Sequence, residues 1–266
     1  MDYFQTVIKG IVEGITEFLP VSSTAHLKYA NGLMHIDDSD PFIQMFDVII
    51  QLGAILSVVV LYYKKFFDFS KSIFYIKLII AVIPALIFGA ILKKYIDTAL
   101  DNLTFIACVM IGGGIILLFI DNLFTKNIID DDKKITFPRA FVIGCFQVLA
   151  IVFPGLSRSA ATIIGGMSQK LTRRLAAEFS FFLAVPTMAA ASAKSFLDVY
   201  KESPSVLNAG NYSQLAVGFV VSFIVALIAV KFFITYLQKH GFKAFGVYRI
   251  ILGAVMLILI YQGYVK

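Results

Sequence analysis

The sequence predicts an all-α polytopic membrane protein with six transmembrane helices and two re-entrant helical hairpins, arranged as an inverted-topology repeat. The first observation behind this prediction is composition: of 266 residues, 59% are apolar and 15% are charged, and the mean hydropathy is +0.86. A soluble globule of this size needs more polar surface than this chain has. The other two observations are six long apolar stretches and two interrupted ones. We therefore expect a single membrane domain over residues 1–266.

The six long apolar stretches are the predicted transmembrane helices, because a helix needs about 20 apolar residues to cross the hydrocarbon core. They cover residues 42–63, 73–92, 103–123, 175–194, 213–237 and 246–264. Pro84 and Pro186 lie inside two of them. A proline kink is tolerated there when neighbouring groups satisfy the freed carbonyls.

Two further apolar regions are interrupted by turn residues. Residues 3–34 contain Pro20-Val21-Ser22-Ser23-Thr24, and residues 139–167 contain Pro154-Gly155-Leu156-Ser157-Arg158-Ser159. Each region is typical of a pair of short helices. At about 1.5 Å per residue, arms of about 15 and about 11 residues fall short of a core about 30 Å thick. We therefore expect each pair to enter the membrane and return to the same side.

An internal repeat relates the two halves of the chain. Residues 10–20 match residues 144–154 at an offset of 134, with glycine first, glutamate or glutamine three positions later, and proline seven positions after that. The segments 46–50 and 179–183 match at an offset of 133. Repeat one covers about residues 1–125 and repeat two about residues 135–266. Each contains one hairpin and three spans, and three is odd, so the second repeat is predicted to be inverted, as in many transporters.

The basic residues of the loops test the hairpin interpretation. If both hairpins return, one side of the membrane receives twelve of them: Lys64, Lys65, Lys71, Lys126, Lys133, Lys134, Arg139, Lys170, Arg173, Arg174, Lys239 and Lys243. The other side receives six: Lys28, Lys93, Lys94, Lys194, Lys201 and Lys266. If the interrupted regions crossed fully, the same eighteen residues would divide ten to eight. The re-entrant arrangement obeys the positive-inside rule better, and it predicts both termini outside.

Composition argues against several other classes of protein. The net charge of +6 does not indicate nucleic-acid binding, because the basic residues lie in short loops and form no basic face interleaved with aromatic residues. Cys108 and Cys145 lie in apolar stretches, where we expect packing residues rather than a disulfide or a metal site. The first residues include no basic segment and no small-residue cleavage site, so a removable signal peptide is not expected.

The first interrupted region carries residues that are costly inside a membrane. Glu13 and Glu17 are four apart and share a helix face, which is typical of a wet cavity, a cation site or proton transfer, unless the arm merely lies in the interface. Ser22, Ser23 and Thr24 can cap the second arm, whose free N–H groups and positive end favour an anion. Ordinary capping explains only one of these hydroxyls. His26 shares a face with Ser23, and in this company it indicates acid–base work rather than a purely structural role.

The second interrupted region contains a candidate phosphate site. Arg158 lies between Ser157 and Ser159 at the start of a short helix, with Thr162 one turn further. An arginine at a helix N-terminus matches phosphate oxygens with its fork of donors, and the helix dipole adds to its charge. A structural ion pair with one of the glutamates is the alternative.

Three polar residues of the spans have less specific explanations. Asp47 and Gln51, at the start of the first span, are either partners of the site or capping residues near the loop. We expect Lys231, near the end of its span, to extend its ammonium group toward the membrane surface.

These motifs resemble the two signature segments of the undecaprenyl-diphosphate phosphatase, or bacitracin-resistance, family. The matching segments are GIVEGITEFLPVSSTAHL at residues 10–27 and PGLSRSAAT at residues 154–162. The likeness extends along essentially the whole chain through FDVIIQLGAI, AFVIGCFQ and AEFSFFLAVP. It implies a bacterial inner-membrane enzyme that hydrolyses undecaprenyl diphosphate to the monophosphate carrier lipid of cell-wall synthesis. It also implies bacitracin resistance, through depletion of the diphosphate that the drug captures.

The resemblance also implies roles for single residues. Glu13 and Glu17 match the paired acidic residues of the family, and Ser23 matches the hydroxyl often proposed as nucleophile. His26 matches the motif histidine, and Arg158 the diphosphate-binding arginine. Two positions depart from the family pattern, with Ala25 and Ala160 where glycine is usual. These departures concern only how closely the backbone approaches phosphate. The resemblance leaves open whether serine or water attacks.

The resulting hypothesis is a phosphatase whose lipid substrate enters sideways from the outer leaflet. The catalytic residues are then Glu17, Ser23, His26 and Arg158, with His26 or Glu17 assisting Ser23. The residues predicted to bind substrate are Ser22, Thr24, Ser157, Ser159 and Thr162. Glu13 and Glu17 are the candidate ligands of a divalent cation, Mg²⁺ or Ca²⁺. The alternative is a polyprenyl-phosphate flippase that uses the same site, and a homodimer is among the possible oligomeric states.

Overall fold

The computed structural model describes residues 1–68 and 72–265, and within these ranges the regular secondary structure is helical. The one extended contact within these two ranges is an isolated bridge between Ile129 and Leu171. The prediction of an all-α protein is confirmed. Lys71 and Lys266, which the count of loop charges includes, lie outside the described residues.

The described residues form twelve α-helices. In chain order they are α1 (Tyr3–Thr16), α2 (Ser23–Leu33), α3 (Pro41–Leu61), α4 (Tyr63–Phe66), α5 (Ser72–Ile91), α6 (Lys93–Leu100), α7 (Leu103–Leu123), α8 (Phe137–Val152), α9 (Arg158–Ser168), α10 (Arg173–Glu202), α11 (Ala209–His240) and α12 (Lys243–Tyr261). Two short 3₁₀ turns cover Asp132–Lys134 and Pro204–Val206. The short helices α4 and α6, each directly after a span, were not predicted.

Six of these helices, α3, α5, α7, α10, α11 and α12, are long and apolar enough to cross a membrane. This confirms the six predicted spans. Helices α10 and α11 extend beyond their predicted ranges, because hydropathy marks only the apolar window whereas a helix continues to its caps. Thr172 caps the start of α10 by accepting from the backbone N–H of Leu175. Helix α11 ends at Gly241, whose φ of 68° favours glycine.

The two interrupted regions fold as pairs of short helices. Helices α1 and α2 have 14 and 11 residues, and α8 and α9 have 16 and 11. Each falls below the length of about 20 residues that a span needs. Within each pair the two helices pack against each other. The return of each pair to its side of entry, and the inverted topology of the two halves, stay predictions.

Glycines let the first arm of each pair approach a neighbouring span closely. A Cβ atom on Gly14 would lie 2.7 Å from the carbonyl oxygen of Ser222 in α11, and one on Gly10 would lie 3.0 Å from that of Gly218. A Cβ on Gly144 in α8 would lie 2.2 Å from the carbonyl oxygen of Ala81 in α5. Small residues at such contacts allow the backbone-to-backbone packing common between membrane helices. The arm that carries the glutamates is thereby held directly against α11.

Ion pairs gather several of the basic loop residues at one end of the helix bundle. Lys65 lies 2.7 Å from Asp132, and Arg174 contacts both Glu178 and Asp130. The hydrogen bond that Arg174 donates holds the pKa of the Asp130 carboxyl below its ordinary value. These contacts join the loops around residues 62–68, 124–136 and 170–174, which the charge count assigned to one side. The side of the membrane to which this end belongs stays a prediction.

Candidate active site

Helices α2 and α9 begin with the same unusual backbone conformation. Ser22 and Ser157 precede them with φ angles of 72° and 76°, a region that non-glycine residues rarely occupy. Each serine hydroxyl caps its helix by accepting from the backbone N–H three residues later, at 3.4 Å and 3.3 Å. The two caps are 135 positions apart, one more than the repeat offset. The second break has one additional residue between its proline and its capping serine, and it contains Gly155 with a φ of 98°. Ser23 and Arg158 therefore occupy equivalent positions, as the first residue of each helix.

The two breaks meet at the carboxylate of Glu17, which follows the last residue of α1. Its Oε2 accepts a hydrogen bond from Ser23 Oγ at 2.6 Å, and its Oε1 lies 2.5 Å from Arg158 Nη2. The side chain of Glu17 is 5% exposed and that of Arg158 is 15% exposed. The structure thus brings together three residues that were predicted from segments far apart in the chain. Both alternatives for Arg158 are combined, since the candidate phosphate ligand is also ion-paired with a glutamate.

Arg158 is held from behind by α10 and retains a free donor. Its Nη1 donates to the carbonyl oxygen of Ser180 at 3.2 Å, whereas its Nε has no hydrogen-bond partner among the described residues. Thr162 Oγ1 lies 2.6 Å from Ser180 Oγ and donates to the carbonyl oxygen of Arg158. Thr162, predicted to bind substrate, is fully buried, and its contacts support Arg158 instead. Ser180, which sequence reasoning did not assign to the site, corresponds to Asp47 in the repeat.

Serines tie the second break to the first. Ser159 Oγ donates to the carbonyl oxygen of Leu19 at 2.8 Å and lies 3.0 Å from Ser157 Oγ. Both serines are buried, and Thr24, the neighbour of Ser23, is half-buried. Of the five residues predicted to bind substrate, Ser22 and Ser157 therefore cap helices and Ser159 joins the two breaks.

Arg249, in α12, connects the backbones of both breaks, and sequence reasoning missed it. Its guanidinium is fully buried and donates to the carbonyl oxygens of Pro20 at 3.1 Å, Leu156 at 2.8 Å and Gly155 at 2.8 Å. A fourth bond, from Nε, reaches the carbonyl oxygen of Met110 in α7. The signal was available, because a charged residue inside an apolar span indicates a functional or structural site.

Glu13 lies deeper in α1 and is fully buried, with no hydrogen-bond partner for either carboxylate oxygen among the described residues. One turn before it, Lys9 is also fully buried and forms an ion pair with Asp47 Oδ1 at 2.6 Å. Asn31 Nδ2 donates to the other oxygen of Asp47 at 3.2 Å. Of the two explanations offered for Asp47, this geometry fits a partner of the acidic arm. Sequence reasoning missed Lys9, although an ionisable residue in an apolar arm was again the available signal.

His26 makes its hydrogen bonds away from Ser23. Its Nδ1 lies 2.7 Å from the carbonyl oxygen of Ser22, and its Nε2 lies 2.6 Å from the hydroxyl of Tyr248 in α12. The two rings are stacked, with 5.6 Å between their centroids. Because both ring nitrogens are engaged, the described contacts leave Glu17 as the base that touches Ser23.

The residues fit a divalent cation only together with a ligand. No group of three or more His, Cys, Asp or Glu side chains suited to a metal ion occurs within residues 1–68 and 72–265. Glu13 offers two buried oxygens without partners, and Glu17 shares its oxygens with Ser23 and Arg158. Hard cations such as Mg²⁺ need about six oxygen ligands, often including substrate phosphates and water. Two carboxylates beside an anion site therefore fit a cation whose coordination the substrate completes.

The arrangement has the parts that phosphoryl transfer needs. A hydroxyl contacts a carboxylate that can take its proton, and a guanidinium with a free donor stands at a helix N-terminus. The starts of α2 and α9 add backbone donors and two positive helix ends. Such a pocket can bind the end of a phosphorylated molecule and stabilise the charge that develops as a phosphorus–oxygen bond breaks.

Comparison with known proteins gives consistent matches over nearly the full chain. The family model described as "Bacitracin resistance protein BacA" matches residues 6–255. A protein of Porphyromonas gingivalis named undecaprenyl-diphosphatase is 48% identical over 279 residues, covering 99% of this chain and 98% of the relative. Relatives with the same name occur in Flavobacterium psychrophilum (49% identical, 97% and 96% covered) and Bdellovibrio bacteriovorus (45% identical, 99% and 98% covered).

Proposed function

The chain belongs to the family of bacitracin resistance proteins described as BacA, and we propose that it hydrolyses undecaprenyl diphosphate to undecaprenyl phosphate and inorganic phosphate. The product is the carrier lipid that cell-wall synthesis uses and recycles. One observation carries the proposal at the level of chemistry: Glu17 bonds Ser23 with one oxygen and Arg158 with the other. A nucleophile, its base and a phosphate ligand are thereby held around one point.

In the proposed reaction, the terminal phosphate of the lipid binds at the starts of α2 and α9. The free Nε–H of Arg158 and the first backbone N–H groups of both helices bond its oxygens. Ser23 Oγ then attacks the terminal phosphorus while its proton passes to Glu17. The bond from that phosphorus to the bridging oxygen breaks, and undecaprenyl phosphate leaves. Water next attacks the phosphorus of the phosphoserine, the bond from phosphorus to Ser23 Oγ breaks, Glu17 returns the proton to Oγ, and inorganic phosphate leaves.

A water molecule activated by Glu17 could attack in place of Ser23, with the hydroxyl then binding the phosphate. The direct contact between Ser23 and Glu17 favours the serine, since this hydroxyl already donates to the base. The same role of Glu17 serves both routes.

We further propose that Glu13 and Glu17 hold a divalent cation, Mg²⁺ or Ca²⁺, together with the diphosphate. Such an ion neutralises the charge of the phosphates when it is bound. The proposal explains why two carboxylates lie beside a site for an anion, and why neither oxygen of Glu13 has a hydrogen-bond partner among the described residues.

The proposed location is the bacterial inner membrane, with both termini outside and the lipid entering sideways from the outer leaflet. Six apolar helices support the multi-pass arrangement, and the loop charges support the orientation. The residues of the proposed site come from one chain, so a monomer and a homodimer would use the same mechanism.

A flippase is the main alternative, because broken helices can carry an anion as well as cleave it. The names of the relatives describe a diphosphatase, and the Ser23–Glu17 contact is more than simple binding requires. The phosphatase is therefore the stronger proposal.

The test is release of inorganic phosphate from a C55 or shorter polyprenyl diphosphate by purified protein in detergent. We expect the unaltered protein to release phosphate and Arg158→Ala to release none while staying folded and inserted. Arg139→Ala, at the start of α8 and outside the site, is the control and should retain activity. A pure flippase would release no phosphate, and full activity of the Arg158→Ala variant would refute the mechanism.

A further inference from the structure

Tyr248 lies outside both interrupted regions and forms a hydrogen bond with the candidate catalytic histidine, His26. Its hydroxyl lies 2.6 Å from His26 Nε2, and the planes of the two rings differ by only 4°. The reaction proposed above does not use this tyrosine. Tyr248 is 44% exposed on α12. A tyrosine that only anchored the protein at the membrane surface would not need this bond to a half-buried histidine.

The hydrogen bonds of His26 determine which of its nitrogens carries the hydrogen. Nδ1 lies 2.7 Å from the carbonyl oxygen of Ser22, and a carbonyl can only accept, so Nδ1 bears the hydrogen. In the neutral imidazole Nε2 is then an acceptor, and Tyr248 must donate to it. With Nδ1 as donor and Nε2 as acceptor, both contacts of the ring are satisfied without a charge. The two contacts therefore select one neutral tautomer.

The position of Tyr248 is itself fixed by its neighbours. Arg249, the next residue, is bonded to the backbone carbonyls of both breaks. One turn earlier, Gly246 lets α12 approach α7 so closely that a Cβ atom would lie 2.7 Å from the carbonyl oxygen of Gly114. Tyr248 therefore meets His26 from a helix with little freedom to shift, which is how a positioning group is held.

We propose that Tyr248 is a positioning residue of the reaction, which acts by bonding Nε2 of His26 and so holding this nitrogen turned away from Ser23. The inference rests on the proposed function, because it assigns a role within that site. As a consequence the two residues have different roles. Glu17 accepts the proton of Ser23, and His26 stays fixed and uncharged one turn further along α2. Without Tyr248 the imidazole keeps one of its two described hydrogen bonds, that to the carbonyl of Ser22, and Nε2 can approach the nucleophile or the phosphate.

The experiment combines kinetics with nitrogen NMR of Tyr248→Phe, which removes only the hydroxyl. We expect kcat to fall about tenfold, the size typical of losing a residue that orients another, with KM changed less than about twofold. To isolate the signals of His26, the protein carries His35→Asn and His240→Asn and is labelled with ¹⁵N-histidine. In this background the His26 Nε2 signal should move when Tyr248→Phe is added. Tyr261→Phe, at the exposed end of the same helix, is the control and should change neither quantity.

A double-mutant cycle distinguishes action through His26 from a general structural effect. If Tyr248 acts through the imidazole, Tyr248→Phe should change kcat less than about twofold in a His26→Asn background. A full tenfold loss in that background would overturn the inference. So would unchanged His26 signals in Tyr248→Phe, a readout that remains available even when His26→Asn has no measurable turnover. Failure of the proposed function would instead appear as absence of phosphate release by the unaltered protein, with the NMR result unaffected.

Discussion

The hydroxyl of Ser23 lies 2.6 Å from Oε2 of Glu17 and donates its hydrogen to that oxygen. The other oxygen of the same carboxylate accepts from Arg158, which opens α9 as Ser23 opens α2. A single side chain thus joins equivalent positions of the two halves, and the halves contribute different chemistry, a hydroxyl from one and a guanidinium from the other. Neither half contains the whole site by itself.

This relationship predicts that Glu17→Gln will lose most of its activity while remaining folded. The amide can still bond Ser23 and Arg158, but it cannot accept the serine proton. We expect kcat for phosphate release to fall by a factor of about 10² to 10⁴, the usual contribution of a general base. Glu202→Gln, at the exposed end of α10, is the matched control and should keep the unaltered rate. A Glu17→Gln variant within about threefold of the unaltered kcat would exclude Glu17 as the base.

The spans and the breaks could be predicted from the sequence because each depends on local chemistry. Apolar stretches of sufficient length indicate membrane helices regardless of their partners, as for Leu103–Leu123, whose predicted and observed limits agree. Likewise, proline followed by hydroxyl residues indicates a helix break and a cap, as found at Ser22 and Ser157. The contact between Glu17 and Arg158 matches the alternative offered for that arginine, an ion pair with one of the glutamates.

The remaining parts of the site depend on contacts that no local pattern contains. Arg249 bonds four backbone carbonyls. Every residue has a backbone carbonyl, so the sequence does not indicate which ones this arginine bonds. The pairing of Lys9 with Asp47 requires knowing that α1 lies beside α3. His26 was grouped with Ser23 on one helix face, but one of its two hydrogen bonds is with Tyr248, more than 200 positions away. Packing, not periodicity, determines these contacts.

Arg249 is predicted to support both the stability of the protein and its activity. In Arg249→Met the carbonyl oxygens of Pro20, Gly155 and Leu156 lose their donor, and each buried carbonyl left unpaired costs about 1–3 kcal/mol. We expect a lower Tm in detergent and a kcat reduced at least about tenfold. Arg249→Lys should recover only part of either, since one ammonium cannot span the positions that the guanidinium fork reaches.

Arg139→Met is the control for removing an arginine, and it should leave both values unchanged because the contact described for its side chain is with a single loop carbonyl, that of Lys134. If Arg249→Met kept the Tm and kcat of the unaltered protein, the two breaks would have to be held by other contacts.

The buried Lys9–Asp47 pair leads to a prediction about the order of stabilities. Removing one partner of a buried ion pair typically costs about 3–5 kcal/mol, whereas replacing both with apolar residues is often neutral. Asp47→Leu should cost more than Lys9→Met, because Lys9 is fully buried while the Asp47 side chain is 17% exposed and keeps its bond from Asn31. The double variant should be more stable than either single one. Denaturant titration in detergent measures the order, and a double variant weaker than both singles would contradict it.

The cation proposal predicts that Glu13 controls how much divalent ion the reaction needs. Both oxygens of Glu13 are buried without protein partners, so an ion and its bound water are the groups that would satisfy them when substrate is present. Chelation with EDTA should abolish phosphate release, and added Mg²⁺ or Ca²⁺ should restore it. In Glu13→Gln the ion concentration for half-maximal activity should rise at least about tenfold, because the amide is a weaker ligand for a hard cation. Glu202→Gln should leave that concentration unchanged.

Binding of Mn²⁺, followed by electron paramagnetic resonance with and without a polyprenyl diphosphate, gives a readout independent of turnover. The affinity for Mn²⁺ should rise when the lipid is added to the unaltered protein, but not when it is added to Glu13→Gln. Equal Mn²⁺ binding by both proteins would exclude Glu13 as a ligand of the cation.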